Sequence, residues 1–359
     1  MIARTHRDEG AVKDDDDHCA PTDARLVDIY RAMVRTRIID DRLVKLQRQG
    51  RISFHVGCRG EEAAIVASAA ALRDRDWIVP CYREVAALLW RGYPLQAYVD
   101  HMFGNADDPV HGRQMPDHTV SKVHRYLSVS APIGTQMPHA VGLSLAAKRK
   151  GTDEVAAVYF GDGATSSNDF HAAMNFASVF KTPTVFLCRN NGWAISLPIE
   201  KQTSVKRFAD KAKAYGMRAR TVDGNDAEAV FKATAEAVSF AASGLGPTFI
   251  ELVTNRLGGH STSDDPSAYR DAEELAKHEA NDPIPRLRAR LIDRDLWQDV
   301  ADQKLVDGFE SELREAIQRA ETKPRPSAEE MFNEVYRERP WHLQEQAELC
   351  ARFPYRKKP

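Results

Sequence analysis

With 359 residues, 43% of them hydrophobic, and a formal net charge of −2, the chain can bury one large core or two modest ones. The near balance of 50 Lys and Arg against 52 Asp and Glu excludes a general nucleic-acid binder, and no apolar run is long enough to span a bilayer. Five scattered cysteines, odd in number and with no Cys-x-x-Cys pair, fit reduced thiols and give no metal motif.

Residues 1–22 contain Asp14 to Asp17 and lack an apolar core, so they read as a disordered tail rather than a signal or transit peptide. With the reduced thiols, this predicts a cytoplasm rather than a mitochondrial matrix. Residues 23–335 read as one α/β domain and 336–359 as an extension. Apolar residues at helical spacing predict a helix over 24–49, stopped by Gly50, and a second over 60–72. Trp77-Ile78-Val79 reads as a short strand ending at Cys81-Tyr82-Arg83, ahead of a helix over 84–90. Tyr82 and Arg83 could hold phosphate oxygens there, or be a core tyrosine beside a solvated arginine.

Residues 105–126 carry His111, His118 and His124 without apolar periodicity; their intervals match no helical ligand face, and a loop at a site mouth is the better reading. Residues 128–136 lead into an Ala-rich helix over 137–150. Ser130, Pro132, Thr135 and Gln136 could offer oxygens to a monovalent cation or simply cap that helix.

The central stretch is 155–196. An apolar run, 155–160, is broken by Gly161-Asp162-Gly163 and followed by a helix capped by Asn168 or Asp169. Ala172, Met174, Phe176, Ala177 and Phe180 are expected to face a sheet. A second strand over 184–188 ends at Arg189-Asn190-Asn191. Both polar clusters then lie at the carboxyl ends of parallel strands, where open α/β sheets bind ligands. Asp162 offers an anionic oxygen, Asn191 an amide oxygen and Trp193 a loop carbonyl, a set suited to Mg²⁺ carrying a diphosphate. Gly161 and Gly163 would open backbone N–H groups to phosphate, and Arg189 adds a positive charge.

Helix and strand keep alternating beyond: helix 208–214, strand 217–222, turn and cap 223–226, helix 227–242, strand 248–253. The expected fold class is α/β, a parallel sheet with helices on both faces. Gly258-Gly259 and the polar run after it read as a mobile loop, in which His260 could contact phosphate, move a proton or be a solvated side chain. The remainder is helical and charged, broken at Pro283, Pro285, Pro324 and Pro326. Its final stretch carries Arg352, Arg356, Lys357 and Lys358, a solvated tail or a clamp on a partner.

Gly-Asp-Gly and Asn-Asn separated by 26 residues resemble the thiamine diphosphate signature. With CYRE at 81–84, GRQMPDH at 112–118, SAPIGTQ at 130–136 and GHSTSDDPSAYR at 259–270, residues 24–335 resemble a wider family. It is the α subunit of the thiamine-dependent first component of 2-oxo acid dehydrogenase complexes, in its branched-chain form. The resemblance implies a thiamine diphosphate-binding fold, with Mg²⁺ on Asp162, Asn191 and the Trp193 carbonyl. It implies diphosphate contacts from Tyr82, Arg83, Arg189 and His260, the last also catalytic, with Gly161, Gly163 and Ala164 lining the cofactor. Ile133 would lie by the aminopyrimidine, and Ser130, Pro132, Thr135 and Gln136 would bind K⁺. Ser261 matches a serine phosphorylated in animal relatives, while the second regulated serine is Asp271 here, which implies a bacterial source and so a bacterial cytoplasm.

The family's activating glutamate comes from a separate β subunit, so an α₂β₂ heterotetramer serving a lipoylated acyltransferase is implied, with no nucleic acid or membrane partner. The implied reaction is oxidative decarboxylation of branched 2-oxo acids. Alternatives are the same chemistry on pyruvate or acetoin, or a scaffold subunit without cofactor turnover.

Overall fold

A computed structural model describes residues 19–333 and 335–353. Most of the expected N-terminal tail, and Arg356, Lys357 and Lys358 of the basic C-terminal stretch, lie outside the described residues.

In chain order the strands are β1 Trp77–Val79, β2 Ala156–Gly161, β3 Thr184–Asn190, a hairpin of β4 Trp193–Ala194 and β5 Leu197–Pro198, then β6 Arg218–Asp223 and β7 Thr248–Val253. All but the hairpin form one parallel sheet in the order β1-β2-β3-β7-β6. The helices are α1 Asp23–Arg48, α2 Glu62–Ala70, α3 Val85–Trp90, α4 Leu95–Phe103, α5 Gln136–Lys150, α6 Asn168–Phe180 and α7 Ala209–Lys213. They continue with α8 Ala227–Ala242, α9 Ala272–Glu279, α10 Pro283–Asp293, α11 Asp299–Thr322 and α12 Trp341–Arg352.

Side chains alternate across each strand, so the sheet has two cores. Val158 and Phe160 pack with α5, α6 and α7; Ala157, Tyr159 and Leu187 pack with α1, α2, α3 and α8. Helices cover both faces, as the alternating pattern requires. Phe160 sits centrally, with Phe170, Phe186 and Phe249 ring centroids 6.2, 6.4 and 6.0 Å away. Truncating it to alanine would cost about 3–5 kcal/mol. The chain advances from β1 to β3 and on to β6 at the far edge; α8 then returns it, placing β7 between β3 and β6. That reversal puts the carboxyl ends of β2, β3 and β7 side by side, where loops rather than strands continue the chain.

Several local expectations change. Strand β3 runs two residues further than expected, so Arg189 and Asn190 are sheet residues, and Gly161 pairs with Arg189. A 3₁₀ turn, Asp162–Ser166, intervenes before α6. Ser167, not Asn168 or Asp169, therefore caps α6, accepting from the Phe170 N–H at 3.2 Å. The buried stripe of α6 is Phe170, Ala173, Met174 and Ala177. Ala172, Phe176 and Phe180 occupy the next row of the helix and face outward, with the two phenyl rings stacked at 5.8 Å. Pro283 opens α10 rather than breaking a helix: Asp282 caps it, and a first-turn proline has no N–H to lose. Helix α12 buries no residue.

Candidate functional site

The turn after β2 owes its glycines to space rather than to a left-handed backbone. Neither Gly161 nor Gly163 has positive φ. A Cβ on Gly163 would stand 2.8 Å from that of Ala194, whereas one on Gly161 would meet only the Arg189 carbonyl at 4.0 Å. The close approach of the 162–166 turn to β4 thus fixes glycine at 163.

Asp162 is 1% exposed, and its Oδ2 accepts from Gln202 Nε2 at 2.8 Å. Burial raises its pKa, and the charge of Glu61 adds to the rise while the Gln202 hydrogen bond opposes it. A buried carboxylate facing no cation is poised for one. Asn191 donates from Nδ2 to Glu61 Oε1 at 2.9 Å, and its Oδ1 accepts from the Trp193 N–H at 3.1 Å. The carboxamide is thus held with its nitrogen away from the turn. The Trp193 indole donates to Glu274 Oε1 at 2.9 Å and packs on Tyr269, tying the hairpin to α9. Among the described residues no three His, Cys, Asp or Glu side chains cluster as a metal site. Asp162, Asn191 and a carbonyl are a different donor set, short of protein ligands and open to phosphate oxygens, which is the set Mg²⁺ takes.

Arg83 is buried and spans two segments: its Nη1 donates to the Gly57 carbonyl, and its Nη2 to the His260 carbonyl at 3.0 Å. Its Nη2 also lies 3.3 Å from His260 Nδ1. A guanidinium can only donate, so His260 Nδ1 accepts and the ring proton sits on Nε2. Burial, with the charges of Arg83 and Arg256 beside it, lowers the His260 pKa to about 4 and keeps the ring neutral. Tyr82 packs edge-on against it at 5.7 Å. Within the polar run after Gly258-Gly259, Asp264 Oδ2 accepts from the His260 N–H and the Tyr269 hydroxyl, each at 2.6 Å.

Arg189 differs from its expected role as a spare cation. Its guanidinium bridges the buried carboxylates of Glu61 and Glu84, so its charge is already matched. Arg256, which sequence reasoning passed over, is 1% exposed and keeps Nη1 unpartnered. Glu61, Glu84 and Gln202 were also missed, since nothing near them in sequence marks them as neighbours of 162 and 191. In the 130–136 segment, Thr135 donates to the Pro132 carbonyl at 3.1 Å and makes no helix-capping bond. Gln136 donates to the Tyr159 carbonyl at 3.0 Å, leaving a buried Oε1 without a partner.

Tyr82, Arg83, Ile133, Gly161, Asp162, Gly163, Ala164, Arg189, Asn191, Trp193 and His260 all line one cavity of about 310 Å³, with Arg256 beside them. Ser130 does not line it, although Ala131 and Ile133 do. Its only acidic lining residue is Asp162.

A family model described as "Dehydrogenase E1 component" matches residues 30–329. The chain is 44% identical over 327 residues to the mitochondrial 2-oxoisovalerate dehydrogenase subunit alpha 2 of Arabidopsis thaliana, covering 91% of this chain and 69% of the relative. It is 41% identical over 324 residues to the mouse mitochondrial alpha subunit (90% and 73%), and 42% over 320 residues to that of Caenorhabditis elegans (89% and 74%). These relatives are mitochondrial subunits of eukaryotes, which overturns the expected bacterial cytoplasm. The composition of residues 1–22 describes those residues and carries no compartment. An E1 match over most of the chain, with the signature residues lining one cavity, places the chain in the thiamine diphosphate-dependent dehydrogenase E1 component family.

Proposed function

We propose that the chain is the cofactor-holding half of a branched-chain 2-oxo acid dehydrogenase of the 2-oxoisovalerate type. The carrying observation is the convergence of Asp162, Asn191, Arg83 and His260 on one cavity. Asp162, Asn191 and the Trp193 carbonyl would hold Mg²⁺, and Tyr82, Arg83 and His260 the diphosphate. His260, neutral with its proton on Nε2, would donate to a phosphate oxygen, while Arg83 supplies charge. Thiamine diphosphate supplies the carbon nucleophile and electron sink of the decarboxylation. Arg189 acts by fixing Glu61, which in turn orients Asn191. The unpartnered Gln136 Oε1, with oxygens of Ser130, Pro132 and Thr135, suits K⁺.

A β subunit is required on this reading. No lining carboxylate other than Asp162 is available to activate the cofactor, and Ile133 and Ile195 stand half-exposed at the cavity wall. The partner would cover that apolar edge and bring the glutamate, giving α₂β₂; the acyl group would leave on a lipoylated acyltransferase. The exposed Trp341 and Leu349 of α12, with Phe353 just after it, suit a partner contact. The test is to copurify the chain with its β subunit, titrate thiamine diphosphate with and without Mg²⁺, and compare 3-methyl-2-oxobutanoate with pyruvate as substrate. Mg²⁺-dependent binding and preference for the branched acid are expected. Faster turnover of pyruvate would overturn the substrate, and absence of cofactor binding the whole reading.

A further inference from the structure

The loop that carries His260 has little behind it. It turns His260 toward the cofactor cavity, and Gly258, Gly259 and Thr262 toward a second cavity of about 670 Å³. What it lies against is residues 55–59. The Leu257 N–H donates to the Arg59 carbonyl at 3.0 Å at one end. At the other, the Thr262 N–H donates to the His55 carbonyl and the His55 N–H donates to Thr262 Oγ1, both at 3.0 Å. Arg83 joins the two segments between, through Gly57 and the His260 carbonyl.

Two buried carboxylates pin residues 55–58 in turn. Asp117 accepts from the Val56 N–H and the Tyr98 hydroxyl, each at 2.7 Å, and Asp40 from the Cys58 N–H at 2.6 Å. The His55 ring, fully buried, lies between them, with Nδ1 3.1 Å from Asp117 Oδ2 and Nε2 3.3 Å from Asp40 Oδ1. A neutral imidazole donates at one nitrogen only, and an imidazolium at both. Nδ1 is hydrogen-bonded to Asp117 and Nε2, without a hydrogen bond of its own, has the Asp40 carboxylate within ion-pair reach, so an anion beside each nitrogen favours the charged ring. There is no slack: a Cβ on Gly57 would meet Asp40 Oδ2 at 3.0 Å and His55 Nε2 at 3.4 Å.

We propose that His55, clamped as an imidazolium between Asp117 of the 105–126 loop and Asp40 of α1, is the positioning residue that seats residues 257–262 and so aims His260 at the cofactor cavity. It touches neither the cavity of His260 nor any atom assigned to cofactor or metal. Burial disfavours its charged form, but the charge and hydrogen bond of Asp117, then those of Asp40, outweigh this and hold its pKa at about 10. The inference rests on the reading of His260 as a diphosphate ligand.

The test uses the α–β complex carrying His55→Gln, Asp117→Asn or Thr262→Val. The first two alter the side-chain clamp and the third the loop's bond to the His55 backbone N–H, so Thr262→Val still tests the strap between the two segments if either core variant fails to fold. Hydrogen exchange, read without cofactor, should quicken over 257–264 by about tenfold or more while β2 and β3 keep their protection. The KM for thiamine diphosphate should rise about tenfold with a smaller change in kcat. Unchanged exchange in the loop, or protection lost equally across α1, α2 and β2, would overturn the proposal. If Asp162→Ala leaves cofactor binding intact, the diphosphate reading fails instead, and the loop exchange still decides the role of His55.

Discussion

Replacing Asp162 by Asn should make the apo-protein more stable and the holoenzyme useless, and the opposed signs separate a ligand from a structural carboxylate. The side chain is 1% exposed, has one neutral donor in Gln202, and its nearest charge is another anion, Glu61. An ionised group so placed costs on the order of 1 kcal/mol in the empty site. Asn keeps the shape and an oxygen for Gln202, so urea unfolding of the cofactor-free complex should gain about that much at pH 7. The pH sign follows from burial raising the folded pKa above 3.8. The penalty exists only where the folded carboxyl is ionised, so the gain shrinks as pH falls toward 3.8 and vanishes below it. Affinity for thiamine diphosphate in Mg²⁺, measured calorimetrically, should fall at least about 100-fold because the only anionic metal oxygen is gone. A variant that is less stable when empty yet binds the cofactor normally would show that Asp162 serves the fold.

Glu61→Gln should destabilise the fold by about 3 kcal/mol in chemical denaturation, since Arg189 and Asn191 both lean on that buried carboxylate. Gly163→Ala should cost about 1–3 kcal/mol through its clash with Ala194, and the Gly163→Ala, Ala194→Gly double variant should recover most of it; no recovery would refute the steric reading. His260, depressed to about 4, should impose no step on cofactor affinity between pH 6 and 8; its contribution to stability is present above pH 6.5 and lost as pH falls through 4. His55 has the reverse sign, its contribution being complete below pH 6.5 and lost as pH rises through about 10, and His55→Gln should flatten that alkaline fall. The groups facing its ring are Asp40 and Asp117, with the Cys58 N–H and the Tyr98 hydroxyl on those carboxylates.

The fold was legible because the central strands β2 and β3 are short apolar runs ending in Gly161 and Asn190, and covering helices have their own signals: Gly50 and Gly151 close α1 and α5 with left-handed backbone, and Asp226 caps α8. Phe176 and Phe180 misled because apolar residues one row off the buried stripe have the same spacing as those within it. Residues in the loops that follow strands, Asp162, Asn191 and His260, stood out from local pattern. Glu61 was not, because its meaning comes from Arg189 and Asn191, 128 and 130 positions away.

The buried charges around the cavity are met largely within the chain. Arg189 lies between Glu61 and Glu84, and His55 between Asp40 and Asp117, so each of these buried cations finds its carboxylates within the subunit. Asp162 and the Nη1 of Arg256 are left over, one anionic oxygen and one cationic donor, both buried and both on the cavity wall. Unmatched groups of opposite sign facing one space are what a metal-bound diphosphate would satisfy, the metal meeting the carboxylate and the phosphate the guanidinium. Within that cavity no carboxylate remains for proton work on the cofactor. On the proposed reading the acid that works on the cofactor comes from a second subunit, and Ile133 and Ile195, half-exposed at the cavity wall, mark the side it would cover.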